Sequence, residues 1–151
     1  MKKAFVNQAN TEFRPDGTYG NVIKKIAEDG VCPFCPEHLA KYHKNPIEEK
    51  GHWLVTDNMY PYKPAKSHQL FIHKAHITHI SEFSEEAWVE LLRIAKREAE
   101  ERNIVGGTLM IRFGDTHFTG ASVNHLHANL VQSDPSDPNY DPKRGLVVRI
   151  G

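Results

Sequence analysis

The chain has 151 residues, 25% of them charged and 39% apolar, an ordinary globular composition for one domain with a real core. Nineteen Lys and Arg balance nineteen Asp and Glu, which argues against a general nucleic-acid binder with its basic surplus. No run approaches the ~18 apolar residues of a membrane helix. The opening "MKKAFVNQANTEF" lacks the apolar core of a secretory signal, so a cytoplasmic protein with no membrane partner is expected.

Residues 1–16 are polar and irregular and read as an arm. "TYGNVIKKIAEDG" places Tyr19, Val22, Ile23 and Ile26 at helical spacing, with Gly30 as a stop. "CPFCPEHL" is a knuckle punctuated by prolines. "HWLVTDNMYPY" predicts a strand that ends at Pro61, and "HQLFIHK" a second, with Leu70 and Ile72 on one face and Gln69 and Phe71 on the other. In "SEEAWVELLRIAKREAEERN", Ser84 is a helix N-cap, Glu85 and Glu86 fill the first turn, and Trp88, Leu91, Leu92 and Ala95 form an apolar stripe. Two further strands follow, "GTLMIRFG" and "SVNHLHANLVQ". Residues 133–144 hold three prolines and several Asp and Asn, a loop-rich tail, before a short edge strand in "GLVVRI". The sum is a single α+β domain over 1–151. Its sheet is mainly antiparallel, because the strand pairs are joined by short links that suit a meander.

Cys32 and Cys35 have the two-residue gap that lets both thiolates reach one ion, and Pro33 and Pro36 stiffen the turn. Zinc takes four Cys and His ligands in tetrahedral array, so two of the ten histidines would have to complete the site. The candidates lie among 68–79 and at 125 and 127. A thioredoxin-like redox pair is the alternative, although that motif opens a helix after a strand and here a helix precedes it. Two unligated small residues are the plainest one.

On a strand, residues two apart share a face, so His125, His127 and Asn129 project together while Leu126, Ala128 and Leu130 pack the other way. A solvated edge would explain this too, but would favour Lys, Thr, Glu or Ser. The preceding Gly120-Ala121-Ser122 offers backbone amides and a hydroxyl that could hold a phosphate. Imidazole is partly unprotonated near neutral pH and can attack phosphorus. Its other ring nitrogen must then give its proton to a neighbour such as a backbone carbonyl.

These residues resemble the histidine triad superfamily of nucleotidyl hydrolases and transferases. The usual triad is His-x-His-x-His after Gly-x-Ser; this chain has Gly120-Ala121-Ser122-Val123-Asn124-His125-Leu126-His127-Ala128-Asn129. "SHQLFIHKAH" supplies a leading His68, basic Lys74 and His76, with His73 where the family commonly has Pro. Cys32 and Cys35 match the CxxC of zinc-bearing members. "NMYPY" is similar to a stretch of the diadenosine tetraphosphate phosphorylase branch, a branch related to galactose-1-phosphate uridylyltransferase.

The resemblance implies a histidine-triad-like fold that works as a homodimer on a nucleotide substrate. It implies His127 as the nucleophile, with His68 beside the catalytic strand. Ser122 and Gly120 would lie at the phosphate and Asn58 near the ribose. A structural zinc ion would be held by Cys32, Cys35, His76 and His125. Asn129 departs from the pattern: hydrolases usually carry His there and transferases Gln. A carboxamide can hold a phosphoryl oxygen but cannot exchange a proton at neutral pH. The expected function is therefore nucleotidyl transfer or hydrolysis through a covalent histidine–nucleotidyl intermediate. The alternatives are a nucleotide-binding protein without catalysis and, less in keeping with the neutral charge, a zinc-dependent nucleic-acid binder.

Overall fold

The structure, a computed structural model, describes residues 4–14 and 17–151. Of the arm expected over 1–16, residues 1–3, 15 and 16 thus lie outside the described residues. Helix α1 spans Gly17–Asp29 and buries Ile23 and Ile26, as the apolar spacing requires. Gly30 follows at φ 66°, its N–H on the Ile26 carbonyl at 3.0 Å, the left-handed turn that ends a helix. The CxxC knuckle leads into α2, Pro36–Tyr42.

Strands β1 (Ile47–Lys50), β2 (Trp53–Asp57), β3 (Ala65–His73), β4 (Thr108–Arg112) and β5 (His127–Ser133) form one sheet. Every pairing is antiparallel, in the order β1-β2-β3-β5-β4. The expected meander therefore holds for the first three strands only. Helix α3, Glu85–Glu101, carries the chain from β3 to the far edge, and β5 returns into the slot between β3 and β4. The strand with the triad-like residues is in this way paired on both sides and buried.

Three expectations need correction. Strand β1 was not anticipated, because "IEEK" has no apolar alternation; it is a charged edge strand, and charge is what keeps an edge from pairing further. Strand β2 ends at Asp57 rather than Pro61, because the Asn58 side chain takes the Tyr60 N–H at 2.8 Å and turns the chain. "GLVVRI" forms no strand, although its composition suits it to one; Val147, Val148 and Arg149 line a cleft instead.

The sheet is covered on both faces. On one, Trp53, Val55, Phe71, Leu126, Ala128 and Leu130 pack against Ala87, Leu91, Ile94 and Ala95 of α3. Leu92, placed in the apolar stripe by sequence, is 58% exposed. Ser84 caps α3 as expected, its hydroxyl accepting the Ala87 N–H at 3.1 Å. Glu98 is buried on the same helix and accepts from Gln69 at 2.6 Å, Arg97 at 2.8 Å and Arg102 at 3.1 Å. On the other face, Leu54, Leu70 and Ile72 meet Leu39 and Phe34. Beside them Ile23 and Ile26 pack with Val123, against which Val6 also lies. Among the described residues, no helix is long and apolar enough to cross a membrane.

Candidate active site and metal centre

Register explains which side chains meet. His127 lies opposite Ile72 on β3 and Arg112 on β4; Asn129 lies opposite Leu70 and Met110. His68, opposite Val131, is the diagonal neighbour of Asn129 on the same face. That face is turned away from α3 and floors a cleft of about 580 Å³. His127, Asn129, Ser122, Gly120 and Asn58 all line the cleft, so the structure brings together the residues singled out for catalysis and nucleotide binding. His68 sits just behind them.

The His127 ring donates its Nδ1–H to the His125 carbonyl at 2.6 Å, which leaves Nε2 with its lone pair. The local chain makes this bond possible. Residues 121–126 are not yet strand, and the His125 carbonyl, freed from the ladder, can face the next ring but one. Burial lowers the His127 pKa to about 4; the His125 carbonyl opposes this and the Arg112 charge adds to it. The imidazole is thus neutral at pH 7.

His68 accepts the Tyr62 N–H on Nδ1 at 3.0 Å and lies 2.8 Å from the Asn129 carboxamide oxygen through Nε2. These two contacts fix its tautomer: Nε2 holds the proton and donates it to Asn129 Oδ1. The Asn58 amide nitrogen, 3.3 Å from the same Nε2, is a second donor and makes no bond there. With Oδ1 held, the NH₂ end of Asn129 is the end left to the cleft. Burial lowers the His68 pKa to about 4, against the Asn129 bond, so it too is neutral. Ser122 shares a short hydroxyl contact with Tyr19, whose pKa burial raises.

Tyr19 and several cations were not singled out in the sequence. Arg14, Lys63, Arg112, Arg144 and Arg149 line the cleft, and among the described residues no Asp or Glu does. The Arg14 guanidinium lies 4.9 Å from the Tyr19 and Tyr62 ring centres and donates to the Tyr60 carbonyl. Tyr60 and Tyr62 lay within the quoted "NMYPY" stretch. Nothing in the sequence marked the arginines, which come from three separate segments.

On the cleft's flank, one ring nitrogen each of His76 and His125 and the sulfurs of Cys32 and Cys35 all lie within 4.8 Å of one another. His125 donates Nε2–H to the His73 carbonyl at 2.6 Å, so its Nδ1 is bare. That Nδ1 is 3.3 Å from Cys32 Sγ, 3.8 Å from Cys35 Sγ and 3.2 Å from His76 Nδ1; Cys35 Sγ is 3.4 Å from His76 Nδ1. A tetrahedron with Zn–S of ~2.3 Å and Zn–N of ~2.05 Å has edges of roughly 3.6 Å (S···N) and 3.3 Å (N···N). The four groups fit a zinc ion. Burial and the neighbouring Cys32 push the Cys35 thiol up to about 12, and a bound cation is what makes such a thiol ionise. The ligand set expected from sequence is the one that converges. His73 contributes its carbonyl, which any residue could supply.

No protein-family profile matches the chain, and no curated protein sequence does. Solved structures match by fold. A histidine triad nucleotide-binding protein from Sulfolobus tokodaii, described as hypothetical, superposes with TM-score 0.56 at 22% identity, over 72% of this chain and 73% of its own. A HIT family hydrolase from Legionella pneumophila gives 0.54 at 21% identity, over 70% of this chain and 97% of its own. A zinc-bound histidine triad family protein from Mycobacterium smegmatis gives 0.50 at 20%, over 69% and 78%. The fold is that of the histidine triad proteins.

Proposed function

We propose that this chain, which has the histidine triad fold, is a nucleotidyl hydrolase or transferase acting on a nucleoside phosphate or dinucleoside polyphosphate. The observation that carries the reading is the His127 ring: neutral, its Nδ1–H tied to the His125 carbonyl, and its free Nε2 on the floor of the cleft. In the first step the Nε2 lone pair forms a bond to phosphorus as the bond from phosphorus to the leaving oxygen breaks. The leaving group departs with that electron pair. In the second step water or phosphate attacks the same phosphorus and the N–P bond breaks, restoring neutral imidazole. Asn129, held by His68, offers its NH₂ to a non-bridging oxygen as charge develops there. Ser122 and the Gly120 turn would meet the phosphate and Asn58 the nucleoside, a reading supported by their sharing one cleft lining.

Zinc, bound by Cys32, Cys35, His76 and His125, would be structural, since four protein ligands leave no open position for a reacting water. The reading also includes a homodimer, which sedimentation equilibrium would test. To test the chemistry, a labelled dinucleoside polyphosphate is mixed with protein, quenched in alkali, and both label on the chain and released nucleotides are read. Wild type should trap label and turn over, and His127→Ala should lose turnover by several powers of ten, because no neighbour replaces a nucleophile. If wild type does neither, the reading is lost. Asn129 in place of a third His favours one second reading, a nucleotide binder that has lost catalysis. Tight binding without turnover or trapped label would select it.

A further inference from the structure

The charge of the cleft departs from that of the molecule. The whole chain is neutral, yet among the described residues the cleft lining holds five cations and no carboxylate. Elsewhere several basic side chains are matched: Lys25 and Lys41 with Asp29, Lys74 with Glu49, Arg97 and Arg102 with Glu98. Among the described residues, none of the five cleft cations makes a salt bridge. Like charges gathered at a partly desolvated site repel one another, and an anionic ligand relieves that repulsion.

Three of the five belong to adjoining parts of the cleft lining. Arg112 is the cross-strand neighbour of His127; its Nη1 donates to the Thr119 carbonyl at 2.6 Å, which leaves further N–H groups of the guanidinium for a ligand. Gly120, at φ 70°, brings the next wall close. A Cβ there would lie 2.8 Å from Arg112 Nη1 and 2.9 Å from the Arg149 carbonyl. The segment 144–151 therefore runs directly against the turn that leads to Ser122. Arg149 stacks over Phe13 at 3.5 Å, a contact that holds the guanidinium by its face and leaves its donor edge available. Arg144 opens the same segment and lines the same cleft.

Asn129 supplies an independent argument. The carboxamide has no proton to give a leaving group, and the His68 Nε2 proton is already directed at it. A leaving group that departs without protonation must be a stable anion, as phosphate is and an alkoxide or amine is not.

We propose that Arg112, Arg144 and Arg149 form a second phosphate subsite, which binds the phosphates beyond the one facing His127, so that the ligand is a nucleoside carrying a chain of two or more phosphates. The subsite rests on the proposed function for the placement of the first phosphate at His127. Titration calorimetry of the full chain with AMP, ADP and ATP tests it. Affinity should rise roughly tenfold with each added phosphate, as charge-assisted contacts of ~1.5 kcal/mol give. In the Arg144→Gln/Arg149→Gln double variant, whose side chains are exposed and whose fold is checked by its thermal transition, the ATP-to-AMP affinity ratio should fall at least tenfold. Arg112→Gln should lower the same ratio. Equal affinities for the three nucleotides, or a ratio unchanged in the double variant, would overturn the subsite. The affinity ladder without label trapped on His127 would uphold the subsite and sink the transfer chemistry; trapped label without the ladder would do the reverse.

Discussion

His68 shows how one buried ring can set the properties of a neighbour. Its two nitrogens are both assigned, one accepting from Tyr62 and one donating to Asn129, so it presents the carboxamide in a single orientation. The arrangement needs neutral imidazole, and burial enforces that by lowering the pKa from 6.5 to about 4, with Arg14 and His127 adding to the effect and the Asn129 bond opposing it. A pKa lower in the folded than in the unfolded chain means that the unfolded chain takes up the proton first. The contribution to stability is therefore complete above about pH 6.5 and is lost as pH falls towards 4, by ~3 kcal/mol in all. Urea unfolding midpoints of wild type and His68→Gln, measured from pH 7 to pH 4.5, should draw together as the solution is acidified. A constant gap over that range would show that His68 is not held neutral. The departure at position 129 was visible in the sequence, and the resemblance put His68 beside the catalytic strand; its bond to Asn129 was not legible, because the two are sixty-one residues apart and meet only through β3–β5 register.

At the scale of elements, periodicity located α3 and misplaced part of its buried face. The residues turned inward are Ala87, Leu91, Ile94, Ala95 and Glu98, spaced for one helical stripe. A small Ala at the start and a buried carboxylate at the end disguise that phase, whereas Leu92 is apolar and exposed. Glu98 is invisible to a hydrophobic pattern because its burial depends on Gln69 and two arginines. The short α4, Thr116–Thr119, ends on Gly120, and here one hydrogen atom is the structural requirement. Gly120→Ala would place a side chain in a left-handed conformation, at ~1–2 kcal/mol, and would push against the Arg149 backbone and the Arg112 guanidinium. Both the urea midpoint and ADP affinity should fall in this variant. Loss of stability with unaltered ADP affinity would separate the turn from the ligand site.

Over the whole molecule, the four converging Cys and His groups tie segments that share no secondary structure. Cys32 and Cys35 lie between α1 and α2, His76 follows β3, and His125 precedes β5, ninety-three residues from Cys32. A metal held there fastens the layer of α1 and α2 to the sheet, next to the carbonyl that orients His127. Elemental analysis should find about one zinc per chain. Cys32→Ser should lose the metal and lower the unfolding temperature by several degrees, as should treatment of wild type with a strong chelator. Metal-free protein with an unchanged transition would refute the structural role.

The resemblance named His76 and His125 as zinc ligands; the sequence by itself determined the α+β class, the long capped helix, the alternation that sends His127 and Asn129 to one face, and the paired thiols of Cys32 and Cys35. Those features follow from local spacing: a period of 3.6 or 2, a cap, or a two-residue gap between thiols. Only the tertiary structure decided that β5 lies between β3 and β4, that His68 steers Asn129, and that "GLVVRI" walls a cleft instead of joining the sheet. It alone gathered the cations. A chain neutral overall gives no sign that Arg14, Arg112, Arg144 and Arg149 face one space, because charge sums are blind to position and the segments meet only once the strands have paired.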